Sequence, residues 1–241
     1  MIAGKVLRWW AGDAAFTLLE LLVVITVCLV LAALCFPLLA QSKQNALSAR
    51  CVGNLRQSAA ALLQVAADKG NTITSAIGGS GPPRKDFWTA QVADALATEG
   101  RSLDILYCPV IAPWRHDPVA NPVWYRRTYG LNAVSTSYAK QETVTENGTN
   151  YTVYTLHLAA VPKPSQHLLL IDSAYATGKF QWVSISSTSA TSSTGRVQIR
   201  HSGKANAAFL DGHVEALLPG ILKMDYGFQG GFDENFEALR F

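Results

Sequence analysis

The sequence has little charge and few cysteines. Asp, Glu, Lys and Arg make up only 15% of its 241 residues, whereas an average soluble domain has about 25%. Twenty basic and seventeen acidic side chains leave a formal net charge of +3, which is too small an excess to indicate a nucleic acid as partner. Four cysteines exclude a dense disulfide scaffold. Composition therefore predicts an ordinary folded domain with no nucleic-acid partner.

The sequence also lacks the short motifs by which common enzymes are recognised. It contains no nucleophile elbow, no phosphate-binding glycine loop and no H-E-x-x-H sequence, and no carboxylates stand at a recognisable catalytic spacing. We therefore expect no catalytic residues, no enzymatic activity and no cofactor.

One long apolar segment dominates what is present. Residues 16–40 read FTLLELLVVITVCLVLAALCFPLLA, with one charged residue, Glu20, and one helix breaker, Pro37. About 20 such residues cross the ~30 Å hydrocarbon layer as a helix, whereas a cleaved secretory signal has only about 7–15. A carboxylate inside a membrane span costs about 2.5–3.5 kcal/mol. Glu20 therefore either has a specific function or lies near enough to the interface to remain solvated.

The flanking residues suggest an orientation and a longer helix. Lys5 and Arg8 precede the span and favour a cytoplasmic N-terminus, and long domains cross the membrane largely regardless of their charge. Apolar residues continue at helical spacing through residues 41–70. We predict a single span with residues beyond about 41 outside the cytoplasm, and one helix that includes both segments.

The remaining residues, 71–241, read as a mainly β domain. A short helix is predicted at 87–98, and an Asn-Gly turn between residues 143–145 and 151–158 indicates a hairpin. Three apolar runs within 196–217 predict a three-stranded antiparallel meander. The predicted fold class is thus α+β, with a long N-terminal helix whose outer half packs on an antiparallel sheet domain.

The N-terminus resembles the type IV prepilins, which include type IV pilins and type II secretion pseudopilins. Their signature is a short basic leader, a small residue before the cleavage site, and an apolar helix with Glu as its fifth residue. Here the leader is residues 1–15, Ala15 replaces the usual Gly, Phe16 would be the new N-terminus and Glu20 the fifth residue. Pro37 falls where many members of the family have a helix kink.

The resemblance implies a maturation and assembly route. A prepilin peptidase would cut between Ala15 and Phe16, and the Phe16 amine would then be methylated. In a filament, Glu20 of one subunit would neutralise the Phe16 ammonium of a neighbour and fix the axial register. The implied partners are like pilin-like subunits, an inner-membrane secretion platform and membrane lipid. The implied location is the inner membrane, with the globular domain in the periplasm.

A second motif near the C-terminus resembles a subset of the same family. It consists of His201, nine further residues and Asp211-Gly212. His201, Asp211 and the nearby His213 could be ligands of a divalent metal. The favoured interpretation is instead a tight turn capped by Asp211, with His201 bonded to that carboxylate or to a neighbouring carbonyl. No metal site is predicted.

The cysteines divide between the two regions. Cys28 and Cys35 lie in the apolar segment and are interpreted as small packing residues. Cys51 and Cys108 would both lie outside the cytoplasm, where disulfides persist. A bridge between them would join helix and domain and stabilise the fold by about 2–5 kcal/mol. The alternatives are two separately buried thiols or, less favoured because neither stands in a C-x-x-C pair, a metal site.

Two functions remain open at this point. The first is a structural pilin-like subunit, a pseudopilin of a type II secretion or related envelope filament. The second is a membrane-anchored minor pilin-like module that recognises a ligand or an exported substrate. Glu20 favours the first, because subunits that initiate filaments often lack Glu at the fifth position.

Overall fold

The computed structural model describes most of the chain, in two units. The described residues are 17–77, 84–111, 116–120, 122–132, 137–146, 148–187 and 195–241. The chain divides into a first unit, residues 1–44, and a second unit, residues 45–241. The helices are α1 (Leu18–Asp68), α2 (Trp88–Thr98) and α3 (Pro219–Tyr226) among these residues.

The strands lie in the second unit and are short. In chain order the described residues form β1 (Thr72–Ile77), β2 (Gly130–Leu131), β3 (Ala139–Glu146), β4 (Thr149–His157), β5 (Leu168–Ile171), β6 (Ser173–Ala174), β7 (Arg196–Gln198), β8 (Ala205–Phe209), β9 (Val214–Leu217), β10 (Gly230–Phe232) and β11 (Ala238–Arg240). Helices and mainly antiparallel sheets together confirm the predicted α+β class. The predicted short helix and the Asn-Gly hairpin are confirmed as α2 and as the β3–β4 pair.

In the first unit, α1 is apolar and unburied. Its side chains from 18 to 36 are all exposed, and α1 is long and apolar enough to cross a membrane. An apolar surface of this extent is unusual on a water-soluble monomer and marks a membrane or protein contact. The helix continues through position 37, so Pro37 does not end it, and the kink expected there stays a prediction.

In the second unit, α1 has one buried face. Cys51, Leu55, Leu62 and Ala66 are at most 2% exposed, and they are spaced four or seven residues apart, as the helical period requires. The helix ends at Asp68, and Gly70 and Asn71 follow with φ of 69° and 56°. Glycine and asparagine tolerate this left-handed conformation better than most residues, so the helix ends two residues before the end of the helical segment predicted from the sequence, residue 70.

The described strands form three sheets. Their orders are β1-β4-β3, β2-β5-β8-β9 and β6-β7-β10-β11. Strand β4 is antiparallel to both neighbours, β1 and β3. Within the second unit, one apolar cluster contains the buried face of α1 together with α2, including the buried Trp88. A second cluster gathers around Phe209, Leu222 and Phe228.

The predicted meander over 196–217 is wrong in its first strand. Strand β7 pairs with β6 and, in parallel, with β10, whereas β8 and β9 pair with each other and β8 also with β5. The reason is the segment between β7 and β8. There Arg200 and His201 are buried, and Ser202 and Gly203 form a turn with φ of 52° and 80°. The chain therefore leaves one sheet and enters another instead of reversing within one.

The chain also passes from one sheet to another between β5 and β6, the strands that pair with β8 and β7. Ile171, the last residue of β5, pairs with Ala207 of β8, and Ser173, the first residue of β6, pairs with Val197 of β7. Asp172 stands between them, where its N–H donates to Asn206 and its carbonyl accepts from Gln198. Asp172 is thus located at the seam between two sheets.

A glycine close to this seam allows two segments to approach closely. An added Cβ at Gly130 would lie 2.6 Å from Ile185 Cγ2 and 2.7 Å from Ser173 Cβ. At Gly53 in α1, no atom lies within 4 Å of an added Cβ.

We expect Gly130→Ala to destabilise the protein by about 1–3 kcal/mol through overpacking. The control Gly53→Ala should be neutral or stabilising by up to about 1 kcal/mol, because alanine is the better helix former. Thermal unfolding of the full chain in detergent, followed by tryptophan fluorescence, measures both. Equal midpoints for the two variants would contradict the close approach at Gly130.

Candidate functional site

The start of α1 has a hydrogen-bonded cap. The Thr17 N–H and hydroxyl donate to Glu20 Oε2 at 2.9 and 2.8 Å, and the Glu20 N–H donates to Thr17 Oγ1 at 3.2 Å. This reciprocal arrangement is a capping box, for which the sequence signature is Thr-x-x-Glu ahead of an apolar run. The signature is present in the sequence, although Glu20 was predicted only to pair with a neighbouring subunit. Ala15 and Phe16 lie outside the described residues.

Four buried side chains meet within the second unit. They are Cys51 on α1, Cys108 after a 3-10 turn, Asp172 between β5 and β6, and His201 between β7 and β8. One ligand-type atom from each lies within 4.8 Å of the other three. Cys51 Sγ is 3.4 Å from Asp172 Oδ1, Cys108 Sγ is 3.5 Å from His201 Nε2, and His201 Nε2 is 3.2 Å from Asp172 Oδ2. We call this group the Cys-Asp-His cluster.

The seam between the sheets fixes the carboxylate and the imidazole. The backbone N–H of Asn206 donates to Asp172 Oδ2 at 2.8 Å. The backbone N–H groups of Arg200 and His201 both donate to the Lys204 carbonyl, at 3.1 and 3.0 Å, which closes the turn that directs His201 inward. The two side chains therefore meet because both chain segments change sheets at this point.

Neighbouring polar groups hold the two cysteines. The Tyr129 hydroxyl lies 3.3 Å from Cys51 Sγ and donates to the Cys51 carbonyl at 3.1 Å. The Gln181 amide accepts from the Cys108 N–H at 3.0 Å and donates to the Cys108 carbonyl at 3.1 Å. Both thiols are thus held in place by hydrogen bonds as well as by apolar packing.

A buried arginine completes the charges at the cluster. Arg200 Nε lies 3.8 Å from Asp172 Oδ1, with both side chains fully buried. Arg200 Nη2 donates to the Ser173 carbonyl at 2.5 Å. Among the described residues, Nε and Nη1 of Arg200 have no hydrogen-bond acceptor.

Mutual electrostatics shift the titration of these groups. Burial raises the pKa of Asp172, but Arg200 and His201 outweigh it and hold that pKa below its usual value. Burial lowers the pKa of His201, but Asp172 and then Cys108 raise it to about 9. Burial raises the pKa of Cys108, yet the hydrogen bond from Cys51, Arg200 and His201 lower it to about 6. Burial, the hydrogen bond with Cys108 and the Asp172 carboxylate raise the pKa of Cys51. At neutral pH two negative groups therefore face two positive ones.

The structure regroups the residues singled out from the sequence. It brings Cys51 and Cys108 together, but as free thiols without a bridge. The expected bond of the His201 ring to Asp211 or to a neighbouring carbonyl is wrong, because that ring contacts Asp172 and Cys108 instead. Asp211 is exposed and accepts from the His213 N–H at 3.1 Å and contacts His213 Nδ1 at 2.6 Å. Gly212, with φ of 89°, forms the turn between β8 and β9, so Asp211-Gly212 is the expected tight turn.

Two members of this environment were missed from the sequence. Asp172 and Arg200 were not proposed as site residues. The available signal was a carboxylate placed directly after the apolar run Leu168–Ile171, since an ionised group next to a buried strand needs a partner. No metal site was expected either, because the cysteines are far apart in sequence, yet the described residues contain a group able to hold a metal ion.

Comparison with known proteins identifies the N-terminal segment. Residues 10–36 match the family described as the prokaryotic N-terminal methylation motif. No curated protein and no solved structure matches the chain. The matched range covers the predicted cleavage site and Glu20, and excludes the Cys-Asp-His cluster and the motif at His201–Gly212.

We expect Asp172→Asn to destabilise the protein by about 3–5 kcal/mol, because it leaves the buried Arg200 without its counter-charge. The matched control is Asp211→Asn, an exposed carboxylate beside a histidine, which should cost about 0–1 kcal/mol. Urea unfolding of the full chain in detergent, with reductant and chelator present, measures both. A similar small cost for the two variants would show that the Asp172–Arg200 pair is dispensable.

Proposed function

We propose that this chain, which has the N-terminus of a type IV prepilin, is a structural pilin-like subunit of a type II secretion or related envelope filament. The observation that carries the proposal is the match of residues 10–36 to the N-terminal methylation motif. The apolar, unburied helix that follows the motif supports it. An assembling subunit, as opposed to one that initiates filaments, is favoured by Glu20 at the fifth position of the expected mature chain.

The exposed apolar helix requires an apolar environment. Lipid would cover it before assembly, and the helices of like subunits would cover it in a filament. We propose that the chain is held in the inner membrane with its N-terminus in the cytoplasm, and that residues 45–241 lie in the periplasm. Its partners would be the prepilin peptidase, membrane lipid, like subunits and an inner-membrane platform.

Glu20 would then act at two stages. Before assembly its carboxylate accepts from Thr17 and caps the helix. In the filament it would pair with the Phe16 ammonium of a neighbour, because an unpaired charge in an apolar bundle is costly. The two roles require different properties of the side chain. Capping needs a hydrogen-bond acceptor at this position, whereas pairing needs the negative charge.

The first prediction from this proposal concerns the mature N-terminus. Mass spectrometry of the protein from its native host should find a chain that begins at Phe16 and carries one added methyl group. The control is the same chain produced in cells without a prepilin peptidase, which should keep residues 1–15. A mature chain that begins at Gln41 would show a conventional signal peptide and would contradict the filament proposal.

The second prediction separates the two roles of Glu20. Glu20→Gln keeps a capping side chain, since Gln also serves in capping boxes, but removes the charge. We expect incorporation into filaments to fall at least about tenfold, because an unpaired buried charge costs about 3–5 kcal/mol. Membrane insertion should be unaffected or improved.

The control for this experiment is Thr17→Ala, which weakens the cap by about 0.5–2 kcal/mol but keeps the carboxylate. It should assemble nearly as well as the natural chain. Filament incorporation is measured as the cross-linked, high-mass fraction of the subunit at equal protein level. Normal assembly of Glu20→Gln together with poor assembly of Thr17→Ala would refute the charge pairing and leave only the cap.

A further inference from the structure

We propose that Cys51, Cys108, Asp172 and His201 are the four ligands of one structural Zn²⁺ ion in the second unit. The site is formed entirely by residues 45–241 and does not depend on cleavage or on filament assembly. Its function would be to tie the outer part of α1 to three segments that are distant in sequence.

The donor atoms are those that zinc prefers. Two cysteine sulfurs, one imidazole nitrogen and one carboxylate oxygen are all established zinc ligands, and four protein ligands are typical of a structural site. Calcium and magnesium select sets made only of oxygen. Thiolate with imidazole in a four-ligand set instead points to zinc. The chemistry of the donors therefore selects the ion.

Three contacts in the cluster are close to the edge length of a zinc tetrahedron. Zinc bonds of about 2.0–2.3 Å to nitrogen, oxygen and sulfur place tetrahedral ligands about 3.3–3.8 Å apart. The separations of Cys51 Sγ from Asp172 Oδ1, Cys108 Sγ from His201 Nε2, and His201 Nε2 from Asp172 Oδ2 are 3.4, 3.5 and 3.2 Å. Side chains from four separate segments thus already meet, with all four ligand atoms within 4.8 Å of one another, and a zinc site would form when they move closer and Asp172 supplies one oxygen to the ion.

The charges also balance when zinc is bound. Zinc ligands must be deprotonated, so binding would release the protons of the Cys51 thiol and the His201 imidazolium. Two thiolates and Asp172 would then supply three negative charges against the two positive charges of the ion. The remaining negative charge has a buried counter-ion in Arg200, 3.8 Å from the Asp172 carboxylate. Arg200 also has two donor nitrogens with no acceptor among the described residues, and its positive charge makes the set of ligands, ion and counter-ion neutral.

A second layer of hydrogen bonds orients the ligands. Asn206 donates to Asp172 Oδ2, Tyr129 contacts Cys51 Sγ, and Gln181 holds both backbone groups of Cys108. Outer groups of this kind fix ligand orientation in metal sites, and their loss lowers metal affinity. Hydrogen bonds from neighbouring residues therefore orient three of the four ligand residues toward the proposed zinc position.

The competing explanation is a disulfide between Cys51 and Cys108. A disulfide has an S–S length of about 2.03–2.05 Å and uses only the two sulfurs. It would account for neither the imidazole 3.5 Å from Cys108 Sγ nor the carboxylate 3.4 Å from Cys51 Sγ. Two cysteines that served only as apolar packing would not need these charged neighbours either. Zinc accounts for all four side chains.

The test uses the full chain, purified in detergent with reductant and without added metal. Elemental analysis should find about one zinc per chain. After removal of zinc, titration with Co²⁺ should saturate at one equivalent and give thiolate-to-cobalt charge-transfer absorption with the strong visible bands of a tetrahedral ion. Added Zn²⁺ should abolish this spectrum. These measurements on the natural chain do not depend on whether any variant folds.

Variants then assign the ligands. Cys51→Ser, Cys108→Ser and His201→Gln should each lower Co²⁺ affinity by more than about 100-fold. Two controls match them in residue type. The Cys28→Ser/Cys35→Ser double variant and the Asp211→Asn/His213→Gln double variant should both bind Co²⁺ as the natural chain does.

Three results would overturn the proposal. One is a reduced natural chain that binds neither Co²⁺ nor Zn²⁺ at one equivalent. Another is a cross-linked peptide pair of Cys51 and Cys108 in non-reduced protein from the native host, which would establish the disulfide. The last is loss of binding in either control with retention in Cys51→Ser. Two separately alkylated thiols, protected from alkylation until zinc is removed, would support the site.

Discussion

The fold of the second unit depends on how one buried carboxylate is neutralised. Asp172 stands where the chain passes from β5 to β6 and so from one sheet to another, and its side chain is fully buried. Arg200 and His201 reach it from the facing segment, which changes sheets at the same level. Because an uncompensated buried charge would be costly, the two crossings have to coincide. The pairing of charges thus specifies the alignment of the two sheets in a way that apolar packing alone would not.

The sequence was sufficient for those parts of the fold that depend on local patterns. Residues 18–68 follow the helical period without a break strong enough to end the helix, so α1 and its end near Gly70 could be predicted. The turn between β3 and β4 could be predicted from the Asn-Gly pair for the same reason. The turn at Asp211-Gly212 could also be predicted, because it depends only on residues adjacent in sequence.

The site could be predicted only in part, because its residues meet through sheet topology. Residues 196–217 contain three apolar runs with turn residues between them, and nothing local distinguishes a hairpin from a change of sheet at Arg200 and His201. Because the meander was predicted wrongly, the contact of His201 with Asp172 could not be predicted. Once β7 is assigned to a different sheet, the nine residues between His201 and Asp211 are explained simply. They span a turn, the strand β8 and the residue that precedes the next turn.

The capping box at Thr17 and Glu20 bears on the timing of maturation. Both of its members lie downstream of the bond between Ala15 and Phe16, and each donates a hydrogen bond to the other. A peptidase could therefore remove residues 1–15 without removing either partner of these three hydrogen bonds. The helix would enter the next step already nucleated, so that cleavage changes the charge and length of the terminus while the secondary structure behind it is conserved.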